Sequence, residues 1–344
     1  MKQDVFMLRQ YSKNINKLLI YKELIMGILI DGIWHDENNI NTDKEGRFVR
    51  AESGFRQHIT ANGESGFKAE PDRYHLYLSY ACPWACRTLI MRKLKGLEKI
   101  ISVSFSDPVM GKNGWSYGES GNETADHINH IHYLKELYLV ARKDYTGRVT
   151  VPVLWDKKKK TIVNNESSEI MRMLNSEFNA FSSTDHDYYP KQWRQKIDEI
   201  NQLVYENINN GVYKCGFAKS QKAYEEAFDA LFNTLNQIEN LLATQRYLLG
   251  EQLTEADWRL FTTLIRFDAV YHGHFKCNLQ RIADYPHLSN YLRELYHFPG
   301  IKETVNFNHI KQHYYRSHLS INPTGIVPKG PKLNLDEPHN RYEF

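Results

Sequence analysis

The chain has 344 residues, with 44 Lys and Arg against 41 Asp and Glu and a formal net charge of +3. Hydrophobic residues make up 41% and charged residues 25%, an ordinary balance for a globular protein with room for about two domains of ~150 residues. So small a charge argues against a nucleic-acid partner, and without an apolar run of about 18 residues no membrane partner is expected.

Four cysteines, Cys82, Cys86, Cys215 and Cys277, are sparse for this length. With no secretion signal, reduced thiols and a cytoplasmic location are expected. Cys82 and Cys86 are spaced C-x-x-x-C, not the C-x-x-C of dithiol redox motifs. The 22 Tyr, 16 Phe and 6 Trp exceed what a core of this size requires and suit a pocket for flat organic ligands.

Residues 1–25 carry Lys2, Arg9, Lys13, Lys17 and Lys22 against Asp4 and Glu23. They are expected to form a poorly ordered extension. From 26 to 71 the chain is polar and Gly-rich and reads as an extended arm, and an arm of that length usually covers something or carries function. Strands and helices then alternate over 72–185. Residues 75–79 alternate as a strand rich in Leu and Tyr. Pro83 suits the first position of a helix over 83–95, and Gly96 is its stop. Residues 100–105 form a β-branched run typical of a buried strand. Over 124–142, Ile128, Ile131, Leu134, Tyr138 and Val140 have roughly helical spacing. Two short strands, 150–155 and 161–164, flank a solvated turn at Lys157 to Lys160, and a helix begins at 166. This β-α-β-α-β-β-α order is that of the thioredoxin fold.

Strands stop in the segment 190–310. Trp193, Ile197, Ile200, Val204 and Ile208 make one apolar stripe, and Phe228, Leu231, Phe232, Leu235, Ile238 and Leu242 make another. Thr254-Glu-Ala-Asp257 reads as a capping box with Leu253 and Trp258 at the staple positions. A further helix runs over 286–297 and stops at Pro299-Gly300. Residues 311–344 are expected to pack back over the pocket as an extended tail. The fold class is therefore an α/β thioredoxin-like N-terminal domain followed by an all-α C-terminal domain.

Cys82 falls at the first strand-to-helix junction, beside the free N–H groups and the positive end of the helix dipole. Such surroundings, with Arg87 one turn on, lower a thiol from ~8.5 into roughly 3.5–7.5 and make a nucleophile. The competing reading is a small buried hydrophobe, an unusual use of Cys-Pro at such a turn. Val151-Pro152 at a strand start suits a cis bond that turns backbone groups toward a peptide-like ligand. Glu166 and Ser167 begin the next helix, whose N–H groups favour a carboxylate. Together the three signals describe a glutathione site. Gly111, Gly114, Gly118 and Gly121 lack the context of a phosphate loop. His127, His130 and His132 fit a polar helix surface better than zinc, and no metal is expected.

Longer motifs carry a resemblance: Leu29-Ile-Asp-Gly-Ile-Trp-His, Arg73-Tyr-His-Leu-Tyr, Ala81-Cys82-Pro83-Trp84-Ala85, Asn113-Gly114-Trp115, Val149-Thr-Val-Pro-Val-Leu-Trp-Asp156, Asn207-Ile-Asn-Asn-Gly-Val-Tyr213, Arg266-Phe-Asp-Ala-Val-Tyr271, His313-Tyr-Tyr-Arg-Ser-His318 and Asn322-Pro-Thr-Gly325. Over 27–338 the chain resembles the glutathione transferases, and among them the glutathionyl-hydroquinone reductases of the Xi class. The resemblance implies a glutathione transferase fold, glutathione as co-substrate, quinone-derived aromatic thioethers as substrates, and a homodimer. It makes Cys82 the nucleophile that takes the glutathionyl sulfur, releases the hydroquinone and is resolved by a second glutathione to the oxidised form. Tyr213 and Tyr314 become proton donors and Tyr271 a pocket residue. Trp115 would stack on glutathione, Val151 would pair with its backbone, and Glu166 with Ser167 would hold its γ-glutamyl end. In one departure, Cys86 stands where members commonly carry His. A second thiol there could capture the mixed disulfide, although an i, i+4 helical pair is a poor disulfide geometry. Two other functions remain open: a general glutathione-dependent thiol transferase or dehydroascorbate reductase, and a non-catalytic transferase-like binding module, against which Cys82 argues.

Overall fold

The computed structural model describes residues 27–36, 41–121 and 124–344; the extension expected over 1–25 lies outside them. A four-stranded sheet forms the first half, with β4 (Ser102–Phe105), β3 (Tyr74–Leu78), β6 (Val153–Asp156) and β7 (Thr161–Asn164) side by side in that order. One of its two inner strands, β3, is buried along its whole length. It runs parallel to β4, pairing His75 with Ser102 and Leu78 with Phe105. A strand buried on both faces needs near-continuous apolar residues, and His75 is the exception. Ser102 Oγ at 2.7 Å and Ser104 Oγ at 2.9 Å occupy its two ring nitrogens, and burial pushes it down to about 4. On the other side β6 runs antiparallel to β3, and β7 antiparallel to β6. Asp156 accepts from the Lys158 and Lys159 N–H groups at 2.8 and 3.1 Å and from Arg73 Nε at 3.0 Å. One buried carboxylate thus forms the lysine turn and ties it to the start of β3.

Helices α1 (Pro83–Leu94), α2 (Leu134–Ala141) and α3 (Ser167–Ser176) complete this half, with α1 packed on α3. The arm contributes β1 (Ile28–Ile30) and β2 (Ile33–His35), which join β5 (Gly147–Arg148) in a small antiparallel sheet of order β2-β1-β5. The arm is thereby tied to the segment just before Val151.

The expected helix over 124–142 is corrected: only Leu134–Ala141 is helical. The Asp126 carboxylate accepts from the N–H groups of Ile128, Asn129 and Ile131 at 3.0, 3.0 and 3.2 Å. A carboxylate that satisfies the local backbone in this way replaces the first helical turns with a loop. His127, His130 and His132 therefore lie on that loop and not on a helix surface, with His130 at φ +56°.

The second half is helical: α4 (Arg194–Val204), α5 (Gly211–Phe217), α6 (Gln221–Leu242), α7 (Glu255–Arg266), α8 (Pro286–His297) and α9 (Phe307–Ser317). A π-helical turn over Tyr205–Asn209 joins α4 to α5, and another over Phe267–Tyr271 extends α7. The capping box of α7 is as read from the sequence. Thr254 Oγ accepts from Ala256 N–H at 3.3 Å, and Asp257 accepts from Thr254 N–H at 2.8 Å. Asp257 also takes the Tyr291 hydroxyl at 2.8 Å, and burial pushes it up to about 6.

A tail beginning at 311 starts too early. Asn306 caps α9 by accepting from His309 N–H at 3.0 Å, and Ile310 and Tyr314, one turn apart, both face the core. Tyr314 is therefore held on a helix. Beyond it the chain runs extended until the buried Arg341 guanidinium donates to Leu242 O at 2.7 Å and Arg246 O at 2.6 Å. Among the described residues no helix is long and apolar enough to cross a membrane.

Candidate active site

Cys82 is the N-cap of α1, and Pro83 takes the first helical position, where a missing N–H costs nothing. Its Sγ accepts from Ala85 N–H at 3.5 Å and donates to Val151 O at 3.4 Å. The Val151-Pro152 bond is cis. The start of α1 and the start of β6 thus meet at the sulfur of Cys82, a residue only 8% exposed.

Burial dominates the thiol. It pushes Cys82 up, and the Ala85 and Trp84 N–H groups, then the charges of Arg266 and Arg50, pull it back only in part. Burial thus works against the expected lowering of the thiol, and the part given to Arg87 is corrected. That guanidinium is buried and turned away, donating to Asn209 Oδ1 at 2.7 Å and Ser167 Oγ at 3.4 Å. It also lies 4.5 Å from the centre of the Trp84 ring. The nearer cation is Arg266 of α7, which donates to Ala81 O at 3.0 Å and Tyr80 O at 2.8 Å, the two carbonyls just before Cys82.

Three tyrosines meet beside this junction. The Tyr314 hydroxyl lies 2.6 Å from that of Tyr213 and 2.9 Å from that of Tyr271. They come from α9, α5 and the π-helical turn after α7. Burial pushes all three up, so each is a neutral phenol at neutral pH. The charge of Cys82 is the next largest influence on Tyr213, which brings the trio and the sulfur into one electrostatic neighbourhood.

A cavity of about 620 Å³ is lined by Trp84 and Val151, the neighbours of Cys82 on its two sides, while Cys82 itself and Tyr213, Tyr271 and Tyr314 are not among the lining residues. Val151, Glu166 and Ser167 all line it, with Ser53 and Arg148 on the same polar side. Phe48, Trp84, Tyr205, Phe217 and His318 form an aromatic side. Glu166 is the N-cap of α3. It accepts from Ser168 N–H at 3.2 Å and from the Ser53 hydroxyl of the arm at 3.0 Å. Trp115 differs from expectation. It is not among the cavity-lining residues, and its ring, 5% exposed, stacks on His313 at 4.8 Å and 15°. Cys86 donates its Sγ–H to Thr304 O at 3.8 Å and lies beside the Arg266 guanidinium. Among the described residues no cluster of His, Cys, Asp and Glu is placed to hold a metal.

The glutathione S-transferase N-terminal domain family matches residues 81–177, and the glutathione S-transferase C-terminal domain family matches 221–294. The glutathionyl-hydroquinone reductase YqjG of Escherichia coli K12 is 55% identical over 323 residues, which is 92% of this chain and 98% of that protein. Its glutathione-bound structure superposes with a TM-score of 0.85 at 54% identity, covering 92% of this chain and 99% of that one. The glutathionyl-hydroquinone reductase PcpF of Sphingobium chlorophenolicum is 55% identical over 310 residues, 90% of this chain and 98% of that protein. The Xi-class transferase of Natrialba magadii is 48% identical, with a TM-score of 0.85 over 92% of this chain and 97% of that one.

The chain belongs to the Xi class of glutathione transferases.

In this Xi-class transferase the arm enters the site, which nothing local in residues 26–71 reveals. Phe48, Arg50 and Ser53 all stand on the cavity wall. Arg266 lies inside a motif read from the sequence, but a lone Arg at the end of a helix gives no sign that it will reach the carbonyls before Cys82. His318 likewise ends α9 on the cavity wall.

Proposed function

We infer that this transferase reduces glutathionyl-hydroquinones to hydroquinones at the expense of glutathione. The observation that carries this reading is the contact of Cys82 Sγ, at 3.4 Å, with the carbonyl of Val151, which lines a cavity walled by both polar and aromatic side chains. A peptide thiol and an aromatic ring need those two surfaces side by side. Names borne by relatives more than half identical to this chain support the same substrate class.

In the first step the sulfur-bearing ring carbon takes a proton and the Cys82 thiolate attacks the glutathionyl sulfur. The sulfur–carbon bond breaks, and its electron pair restores the aromatic ring. Tyr213 and Tyr314 are the assigned donors, with Tyr271 holding Tyr314. A second glutathione thiolate then attacks the mixed disulfide, leaving oxidised glutathione and the Cys82 thiolate. Val151 pairs with the glutathione backbone, and Glu166 and Ser167, at the start of α3, hold its γ-glutamyl end. Trp115 supports the glutathione side through its stack on His313. The protein works in this reading as a cytoplasmic homodimer without nucleic-acid or membrane partners, in keeping with its charge of +3 and sparse cysteines.

Turnover of glutathionyl-hydroquinone and glutathionyl-menadiol, compared with dehydroascorbate and a simple glutathione mixed disulfide, tests the assignment. The hydroquinone substrates should have the highest kcat/KM, and mass spectrometry should place one glutathione adduct on Cys82. An adduct confined to Cys86, Cys215 or Cys277, or a preference for dehydroascorbate, would overturn it.

A further inference from the structure

Arg50 belongs to the arm, and its environment is built for more than structure. The guanidinium lies 4.5 Å from the centre of the Trp84 ring, 4.9 Å from that of Tyr213 and 5.3 Å from that of Phe48. Trp84 is two residues from the nucleophile, and Tyr213 is an assigned proton donor. The cation therefore sits at the seam between the two halves of the reaction, on the aromatic side of the cavity it lines. Its Nε is spoken for, donating to Asn210 Oδ1 at 2.6 Å. That bond holds one edge of the fork among the three rings and leaves Nη2 to be completed by something else. Nη2 is buried without a hydrogen-bond partner, and among the described residues no carboxylate pairs with this cation. Of the arginines around it, Arg56 is bound to Glu169 and Arg172 to Glu255 and Asp198, while Arg87 is held by the amide of Asn209 and the hydroxyl of Ser167. A cation kept unpaired in a partly buried site fits a partner that carries negative charge only part of the time.

We propose that Arg50 is a further catalytic residue, donating to a ring oxygen of the hydroquinone as the carbon–sulfur bond breaks. This rests on the functional reading above. Tyrosine first protonates the sulfur-bearing ring carbon while the ring hydroxyl ortho or para to it gives up its proton and becomes a carbonyl. When Cys82 then takes the sulfur, the carbon–sulfur electron pair restores the aromatic ring and the carbonyl oxygen becomes a phenolate, which is afterwards protonated from water. A guanidinium N–H aimed at that oxygen stabilises the charge it gains as the carbon–sulfur bond breaks. No atom is transferred by Arg50, and its proton stays on the guanidinium throughout. The aromatic side of the cavity, not the polar side that suits glutathione, is where such an oxygen must lie.

The test uses full-length Arg50→Met and Arg50→Lys with three substrates. These are glutathionyl-hydroquinone, its chlorinated analogue with more acidic ring hydroxyls, and the mixed disulfide of glutathione with 2-mercaptoethanol, which has no ring oxygen. Arg50→Met should lower kcat/KM for glutathionyl-hydroquinone by about 10²-fold, the usual loss for one oxyanion donor. The loss should be smaller for the chlorinated substrate, whose oxygen carries charge more easily, and smallest for the mixed disulfide. Arg50→Lys should recover part of the loss. Equal losses on all three substrates, or none on any, would overturn the proposal, the first by reducing Arg50 to a support for Trp84 and Tyr213. Failure of the wild type to reduce glutathionyl-hydroquinone while reducing the mixed disulfide would overturn the functional reading itself, a result distinct from either.

Discussion

The hydroxyl of Tyr213 lies 2.6 Å from that of Tyr314 although 101 positions separate them in the chain. Two phenols this close, both kept neutral by burial, share one hydrogen bond and each keeps its own proton. In the proposed mechanism a substrate atom brought beside them would meet donors already oriented, with no solvent to reorganise.

Tyr213→Phe and Tyr314→Phe should each slow glutathionyl-hydroquinone reduction by at least about tenfold, since one placed acid contributes ~10²–10⁴. Reduction of a simple mixed disulfide, which protonates no carbon, should fall much less. Tyr314→Phe should be the more severe, because it also strips Tyr271 of its partner. Steady-state kinetics on both substrates decide the matter. Equal losses would mean that the tyrosines only shape the pocket.

Burial raises the Cys82 thiol, so the thiolate fraction should be small at neutral pH and grow as pH rises through a value above that of a free thiol. In the glutathione-free protein, iodoacetamide should modify Cys82 more slowly than a small free thiol at about pH 7.5, with a rate still climbing above about pH 9. A half-maximal rate near pH 7 would show instead that the helix terminus outweighs burial. Cys82→Ser should lose nearly all reductase activity, an alkoxide being inaccessible in this range.

His75 is held down to about 4 by burial, and His313 also to about 4. Both are depressed below the unfolded value of ~6.5. The unfolded chain therefore binds more protons between these values, and the stability that depends on neutral imidazoles is present above about pH 6.5 and lost as pH falls toward about 4. Each such group accounts for up to roughly 3 kcal/mol by this linkage. Urea denaturation from pH 7 to 4 should show the decline, and His75→Asn should flatten it while lowering stability at pH 7. An unchanged slope in that variant would mean that other groups govern acid unfolding.

The sequence by itself determined what depends on near neighbours. Pro83 at the start of α1, Cys82 as its cap, the Thr254–Asp257 box and the helix over Pro286–His297 all follow from contacts three or four residues apart. The β-α-β-α-β-β-α order follows from hydrophobic period alone. What only the tertiary structure decided depends on which distant groups share a dry space. Arg87 sits one turn from Cys82 in sequence, yet it turns to Asn209, 122 positions away, because a buried guanidinium must find oxygen acceptors wherever packing supplies them. The loop over 124–133 is not helical because Asp126, placed under Tyr77 of the sheet, satisfies three backbone N–H groups at once. Trp115 meets His313, and Arg50 meets Trp84 and Tyr213, across the boundary between the two halves. The state of the Cys82 thiol was likewise beyond local reading. A helix terminus is visible in the sequence, but the loss of water around a sulfur is a property of everything packed against it.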